Sequence, residues 1–512
     1  MRRTRDEHGN GMHLEQGSFV NTKEANITIF LTISSKPMTY SLSLSLLLLV
    51  YGSVSASPAG TARWVAETAR WGTLTAPPTK VVSPRNTAEE GASVQQNTWK
   101  DLSASIVPIA ASKEHNGRIF FYLMHRNTMD GTALTISQAS FQPELFDIAG
   151  CGDMQNVVDA QDPRCAKLTF VGRIAPCDDD CEVIAKQALF AAHPSMENYP
   201  ADHDFHTHEM IIDFAWMIAN FGGGDEITAE EYYQATPSPH EIREGEHVKP
   251  VSKSLGTKIP DWNNTIVRAR WITYHSRWGT VSTSKHRNHE GDYFGNIRSI
   301  TDGPYCESST GRPIFQFPDA DPTAKDLSNN NSMALTLSEA SIAARVASDT
   351  GAPCGGKDAG SPLCAQLVLY GKAVPINPLS MKFRHALAWF QSTHPLAPWL
   401  NEGGSHMSGT YYTMDVEKIM ILDYFGGYKE VRVGDYLQYD MTENTGEYCQ
   451  GYSAEYDRGR IGIQERADHP LKVFMAGFIF LVVTFLLAFL RDGCGRKEKQ
   501  SYHAVVETTP IA

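Results

Sequence analysis

At 512 residues the chain is longer than one hydrophobic core can organise, and its composition is that of an ordinary globular protein. A net charge of −13 at pH 7 and a pI near 5.8 argue against a nucleic-acid partner, because binding a phosphate backbone needs clustered Lys and Arg to displace counterions.

The first apolar run, Ser41–Tyr51 (SLSLSLLLLVY), is too short to span a bilayer and is followed by small residues through Ser57. That is the pattern of a signal-peptide h-region, with Val54 and Ala56 before the cut. Residues 1–57 therefore read as a presequence, and translation from Met38 is the preferred start because the stretch ahead of it is long for an n-region.

A first unit is expected over 60–236. Trp64, Thr68 and Trp71 fall at i, i+4 and i+7 and predict a short opening helix that stops at Gly72. Apolar, β-rich runs follow at Ile119–Met124, Ala133–Ile136, Leu168–Val171 and Met210–Ile218. A stretch over 237–262, rich in proline and charge and without apolar period, reads as a linker.

A second unit, 263–441, repeats the first. Ala62-Arg63-Trp64 with Arg70-Trp71-Gly72-Thr73 returns as Ala269-Arg270-Trp271 with Arg277-Trp278-Gly279-Thr280, an offset of 269 − 62 = 207. ALTISQAS at Ala133–Ser140 returns as ALTLSEAS at Ala334–Ser341. Cys165-Ala166 with Gly172 answers to Cys364-Ala365 with Gly371, and His193-Pro194 to His394-Pro395. Phe221-Gly222-Gly223 answers to Phe425-Gly426-Gly427, and these glycines are read as turn residues needing positive φ. Strands are expected at Ile314–Phe317, Ala334–Leu337, Leu367–Tyr370 and Lys418–Leu422, with a helix from Asn377 as N-cap and Pro378 at N1 to Thr393. Short strands with two helices and no βαβ alternation predict an α+β, mainly β fold: two tandem antiparallel barrels with helical covers, plus one transmembrane helix.

That transmembrane helix is Val473–Leu490, uncharged and bounded by Lys472 and Arg491. At 1.5 Å per residue it covers roughly 27 Å, enough for a thin bilayer. A stalk over 442–472 precedes it, and the basic residues after it place the tail, 491–512, in the cytoplasm, giving type I topology. Tyr502 and Val505 in that tail have the form of a tyrosine-plus-apolar sorting signal, and Cys494 is a palmitoylation candidate. Asn263 and Asn330 are N-glycosylation sequons on the lumenal side; Asn26 also matches but lies ahead of the signal.

Chemistry-bearing residues are sparse. No GxSxG elbow or triad order appears, and no residue is assigned a catalytic role. His203, His206 and His208 (HDFHTH) have the i, i+2 spacing of a strand-borne metal site, but a solvated loop is the preferred reading and no metal is expected. FGGG at Phe221–Gly224 follows a strand into a turn and so does not read as a phosphate cradle. Thr280, Ser282, Arg277 and Lys285 are the groups available to a flavin phosphate, yet they are read as ordinary strand polarity and no cofactor site is assigned.

The repeated motifs resemble those of the CREG family, named for a cellular repressor of adenoviral early-gene-stimulated transcription. The similarity is carried by HPSMENYP at His193–Pro200, FGGGDEITAEEYY at Phe221–Tyr233, ARWITYHSRWGTVSTS at Ala269–Ser284, SITDGP at Ser299–Pro304 and ILDYFGGYKEVRVGDYLQY at Ile421–Tyr439. It covers both units, except that Pro77–Ser112 of the first aligns with nothing. The resemblance implies a split barrel related to flavin-binding oxidases of the pyridoxamine-phosphate oxidase type. It further implies a secreted or endolysosomal glycoprotein, usually a homodimer and not known for catalysis; the duplication and the anchor depart from that pattern.

The resemblance also supports local disulfides Cys151–Cys165 and Cys354–Cys364, each closing a loop worth about 3 kcal/mol. Cys177–Cys181 and Cys306–Cys449 are then left over, with zinc as the alternative at Cys177 and Cys181. The functional expectation is a membrane-anchored binding module of the secretory or endolysosomal pathway, at the plasma membrane or within organelles. Its barrels would pair within the chain as a pseudo-dimer, and its lumenal or extracellular partner is unknown. The rival is an FMN-dependent oxidoreductase.

Overall fold

A computed structural model describes residues 57–78, 98–100, 102–141, 151, 158–240, 259–284, 293–303, 309–342, 354, 357–394, 397, 400 and 409–441. Residues 1–56 of the presequence, Lys285, Cys306, Cys449, the run 473–490, Cys494, Tyr502 and Val505 lie outside them. Among the described residues no helix is long and apolar enough to cross a membrane.

The first unit opens with helix α1 (Pro58–Thr68), started by the Ser57 hydroxyl accepting from the Gly60 amide and by Pro58 in the first turn. Strands β1 (Trp71–Ala76), β2 (Thr98–Trp99), β3 (Leu102–Pro108), β4 (Ala110–Ser112), β5 (Arg118–Leu123), β6 (Met129–Ser137) and β7 (Lys167–Pro176) follow. Helix α2 (Asp179–Ala192), capped by Asp178, then leads to β8 (His206–Ile218), β9 (Asp225–Thr228) and α3 (Ala229–Gln234). The sheet runs β2-β3-β1-β6-β7-β8-β5-β4, with β9 on β8.

Among the described residues the second unit follows the same course without counterparts of β2 and β4 and with one added helix, α5: α4 (Thr265–His275), β10 (Trp278–Ser284), β11 (Tyr293–Thr301), β12 (Ile314–Pro318), α5 (Pro322–Asn329), β13 (Ser332–Ser338), β14 (Gln366–Pro375), α6 (Met381–Thr393), β15 (Gly409–Leu422), β16 (Lys429–Val431) and α7 (Val433–Gln438). Its sheet is β12-β11-β10-β13-β14-β15-β16, and β12 also pairs with β15, which closes the ring. Each barrel has its own core: Val65, Phe121, Leu134, Phe170 and Tyr232 in the first, and Trp271, Phe315, Leu335, Leu369 and Tyr436 in the second.

Three expectations are corrected. Trp71 and Trp278 do not continue the opening helices: those end at Thr68 and His275, and each Trp begins a strand. The chain turns extended at Ala69 and Ser276, which carries both indoles out of the helix and stacks them against each other. Helix α6 begins at Met381 with Ser380 as its cap, because Asn377 closes a preceding turn by accepting from the Leu379 amide. The unaligned stretch 77–112 contains β3, which pairs with β1 as β11 pairs with β10.

The two barrels share one buried seam. Strands β1, β10, β11 and β13 are buried along their whole length rather than at alternate positions. Since successive side chains point to opposite faces, one face must fill the strand's own barrel while the other is covered from outside. That cover is the opposite unit: Leu102, Ala104, Phe214 and Val171 pack with Phe294, Tyr370 and Met420 in one cluster, and Trp71 and Ile106 with Trp278 and Ile297 in another.

Candidate functional site: the seam and its surroundings

Along the seam, equivalent residues meet each other. The Trp71 and Trp278 rings stack at 6.0 Å with 12° between planes. The Thr73 and Thr280 hydroxyls bond at 2.7 Å, as do those of Thr75 and Ser282, both pairs 207 residues apart. A residue touching its own counterpart is the mark of a two-fold, isologous contact. Off the axis the pattern becomes reciprocal. His394 Nδ1 contacts Asp159 at 2.6 Å while its Nε2 faces the Ile300 carbonyl at 2.8 Å; His193 contacts Asp358 through Nδ1 and the Ile109 carbonyl through Nε2. Each ring thus bridges a carboxyl group of the opposite barrel and a backbone carbonyl of its own.

The carboxylates come from disulfide-anchored loops. Cys151 is bonded to Cys165 and Cys354 to Cys364, and each pair stands beside the loop that reaches the opposite barrel's histidine. Gln161 extends the first clasp by donating to the Gln316 side chain (3.1 Å) and accepting from the Ser299 amide (3.1 Å). The buried Lys167 ammonium ties this loop down through the carbonyls of Gln161, Asp162 and Cys165; in the second barrel Gln366 does so through the Ala359 carbonyl. Burial, with Arg298 nearby, pushes Lys167 down to about 7.

This geometry settles where several sequence-singled residues lie. Thr280 and Ser282 are buried in the seam and bonded to Thr73 and Thr75, and Arg277 donates to the Thr393 carbonyl at 2.8 Å. Cys177 is disulfide-bonded to Cys181. Gly222, Gly223, Gly426 and Gly427 have φ of +127°, +117°, +108° and +90°. Asn263 is exposed and Asn330 half-buried.

The solvated-loop reading of HDFHTH is corrected. His203 is exposed, but His206 and His208 begin β8, and His208 is fully buried because its strand pairs with β5, opposite Phe121. His125, just beyond β5, stands with its ring 5.1 Å from that of His208. Burial pushes His208 down to about 4 and lowers His125 as well. No sequence pattern links His125 to this group, which only strand pairing assembles.

On the second barrel an aromatic set faces solvent. Trp262 (43% exposed) stacks on Tyr424 at 4.2 Å, Phe425 (60% exposed) meets Tyr424 edge-on at 5.4 Å, and the Lys429 ammonium lies 5.1 Å from the Trp262 ring. Trp262 belongs to the segment expected as linker, and Asn263 follows it directly.

Comparison with known proteins agrees with this duplicated architecture. The family model described as "CREG, beta-barrel" matches residues 55–234 and again 260–438. Protein CREG2 of Mus musculus is 31% identical over 193 residues, covering 36% of this chain and 61% of the mouse protein. Protein CREG1 of Gallus gallus is 40% identical over 79 residues, 15% of this chain and 41% of the relative. The chain thus spans less than two thirds of each. Among solved structures, a heme binding protein from Mycobacterium smegmatis aligns at 15% identity and a TM-score of 0.26, covering 48% of this chain and 90% of that one. With the family's barrel model matched by both halves, the chain belongs to the CREG family, which it represents as a tandem pair.

Proposed function

We propose that this chain is a membrane-anchored glycoprotein that recognises a lumenal or extracellular partner without catalysis, its two barrels forming a pseudo-dimer within one chain. The observation that carries the binding role is the exposed Trp262–Tyr424–Phe425 set. Large aromatics dominate the energetics of recognition surfaces. The Thr280 and Ser282 hydroxyls, by contrast, bond those of Thr73 and Thr75, so two of the groups that a flavin phosphate would call on already have partners. The pairing proposal is supported by the self-meeting contacts and by a linker long enough to let the units dock at high effective concentration. Anchoring and delivery to endosomes or lysosomes are supported by the run at Val473–Leu490 and by Tyr502 with Val505.

The test pairs a photo-crosslinking residue at position 425 with an absorption spectrum. A discrete crosslinked adduct in expressing cells, lost in Trp262→Ala, together with a colourless protein that takes up no added FMN, is expected. A protein that carries a flavin band or titrates with FMN overturns the non-catalytic reading in favour of an oxidoreductase.

A further inference from the structure

His208 presents an unusual buried base. Its Nδ1 lies 3.1 Å from the His206 carbonyl oxygen, which can only accept, so Nδ1 carries the proton and Nε2 bears the lone pair. That Nε2 is buried and has no hydrogen-bond partner. A buried acceptor left without a partner is unfavourable, a penalty that a ligand would remove. A histidine fixed through one nitrogen to a backbone carbonyl, with the other nitrogen free, is the arrangement found in metal-ligating imidazoles.

The neighbours fit the same chemistry. The His125 ring centroid is 5.1 Å from that of His208, with 62° between the planes. Two imidazoles bound to one tetrahedral ion at about 2.0–2.1 Å have centroids roughly 5 Å apart. His206, two positions back on β8, has its Nε2 2.9 Å from the Arg126 guanidinium and 2.9 Å from the Asp204 carboxylate. Arg126 is exposed, so its departure would release His206 as a third ligand at little cost. Nothing among the described residues already has the geometry of a metal site: His206 must give up Arg126, and the His125 ring, whose Nδ1 accepts from the Asn127 amide at 3.3 Å, must turn toward His208 before the three can meet at one ion.

We propose that His125, His206 and His208 bind a divalent transition-metal ion of the zinc class at the β5–β8 edge of the first barrel. Imidazole nitrogens suit zinc and its neighbours rather than magnesium or calcium. The second barrel has no counterpart for His125 among its described residues, so the site belongs to the first unit alone.

The test uses the full-length chain without a histidine tag, carrying Cys494→Ser to remove a free thiol, stripped with a chelator and titrated with zinc against a chromophoric competitor. Cobalt(II) serves as the spectroscopic probe of tetrahedral coordination. One equivalent is expected to bind, with visible cobalt bands. His208→Gln should weaken binding by at least tenfold, Arg126→Ala should tighten it several-fold, and the exposed His203→Gln should leave it unchanged. Arg126→Ala keeps the proposal testable if the His208 variant fails to fold. Less than a fifth of an equivalent bound, or affinity insensitive to the Arg126 replacement, overturns the proposal and leaves His208 as a packed core histidine.

Discussion

Replacing Asp159 by Ala strikes the clasp at its centre. Asp159 accepts from the Gln161 amide at 2.8 Å, meets His394 Nδ1 at 2.6 Å and also takes the Ser299 hydroxyl. Its side chain is 10% exposed and that of His394 2%, so water cannot replace what is lost. A hydrogen bond to a charged group contributes about 1.5–3 kcal/mol, and removing one member of a buried pair costs about 3–5 kcal/mol. The destabilisation expected for Asp159→Ala is therefore about 3 kcal/mol, read by urea unfolding of the purified chain. Because residues 235 apart in sequence share the effect, the double-mutant cycle with His394→Ala is the decisive arm. A coupling of about 1–3 kcal/mol is expected. Effects that add to within about 0.5 kcal/mol would refute a clasp and leave two unrelated surface contacts.

Burial alone would raise the Asp159 carboxyl, but His394, the Ser299 hydroxyl and the Gln161 amide outweigh it and hold the group below its ordinary 3.8. A carboxyl lowered by folding contributes stability above its ordinary range and loses it as pH falls through the lowered value. Acid unfolding should therefore show a loss below about pH 4 that Asp159→Asn lacks; identical acid limbs would contradict this. Lys167, also lowered by folding, gives the same sign of slope in a higher pH window. The unfolded chain keeps its proton up to 10.5 while the folded one releases it from about 7, so stability rises with pH across that window. Lys167→Gln, which copies Gln366, should flatten the rise while keeping the loop anchored, as followed by thermal melts from pH 7 to 10. Gly172 and Gly371 sit at matching bulges, where an added Cβ would overlap the carbonyl oxygens of Ile211 and Asp415. Gly172→Ala should cost about 1–3 kcal/mol by overpacking, and a wild-type melting temperature would count against the close approach.

Much of the fold was legible because a duplication leaves the same pattern twice. Recurrence of ALTISQAS and ALTLSEAS located β6 and β13, and the apolar runs located β7, β8, β14 and β15. The helix reading of Trp71 and Trp278 failed because i, i+4, i+7 spacing does not say which indole leaves the helix to stack across a seam. Strand β3 was missed because LSASIVP has little in common with YFGNIRSIT; shared pairing partners, not shared residues, make them equivalent. The clasps had a faint signal. Asp159-Ala160 precedes Cys165 by the same spacing as Asp358-Ala359 precedes Cys364, and the His-Pro pair recurs, yet only folding joins the two motifs. His125 had no signal, since β5 and β8 bring it to His208 across 83 positions (208 − 125 = 83). The Trp262 platform was hidden in a segment read as linker.

The molecular mass of the purified full-length chain in solution, from light scattering corrected for detergent and glycan, bears most directly on one chain supplying both halves of its own pair. A single-chain mass at all protein concentrations is predicted, since Trp71, Thr73 and Thr75 already meet Trp278, Thr280 and Ser282. A mass of two chains, with Trp71→Ala returning it to one, would show that the seam forms between molecules and contradict the account.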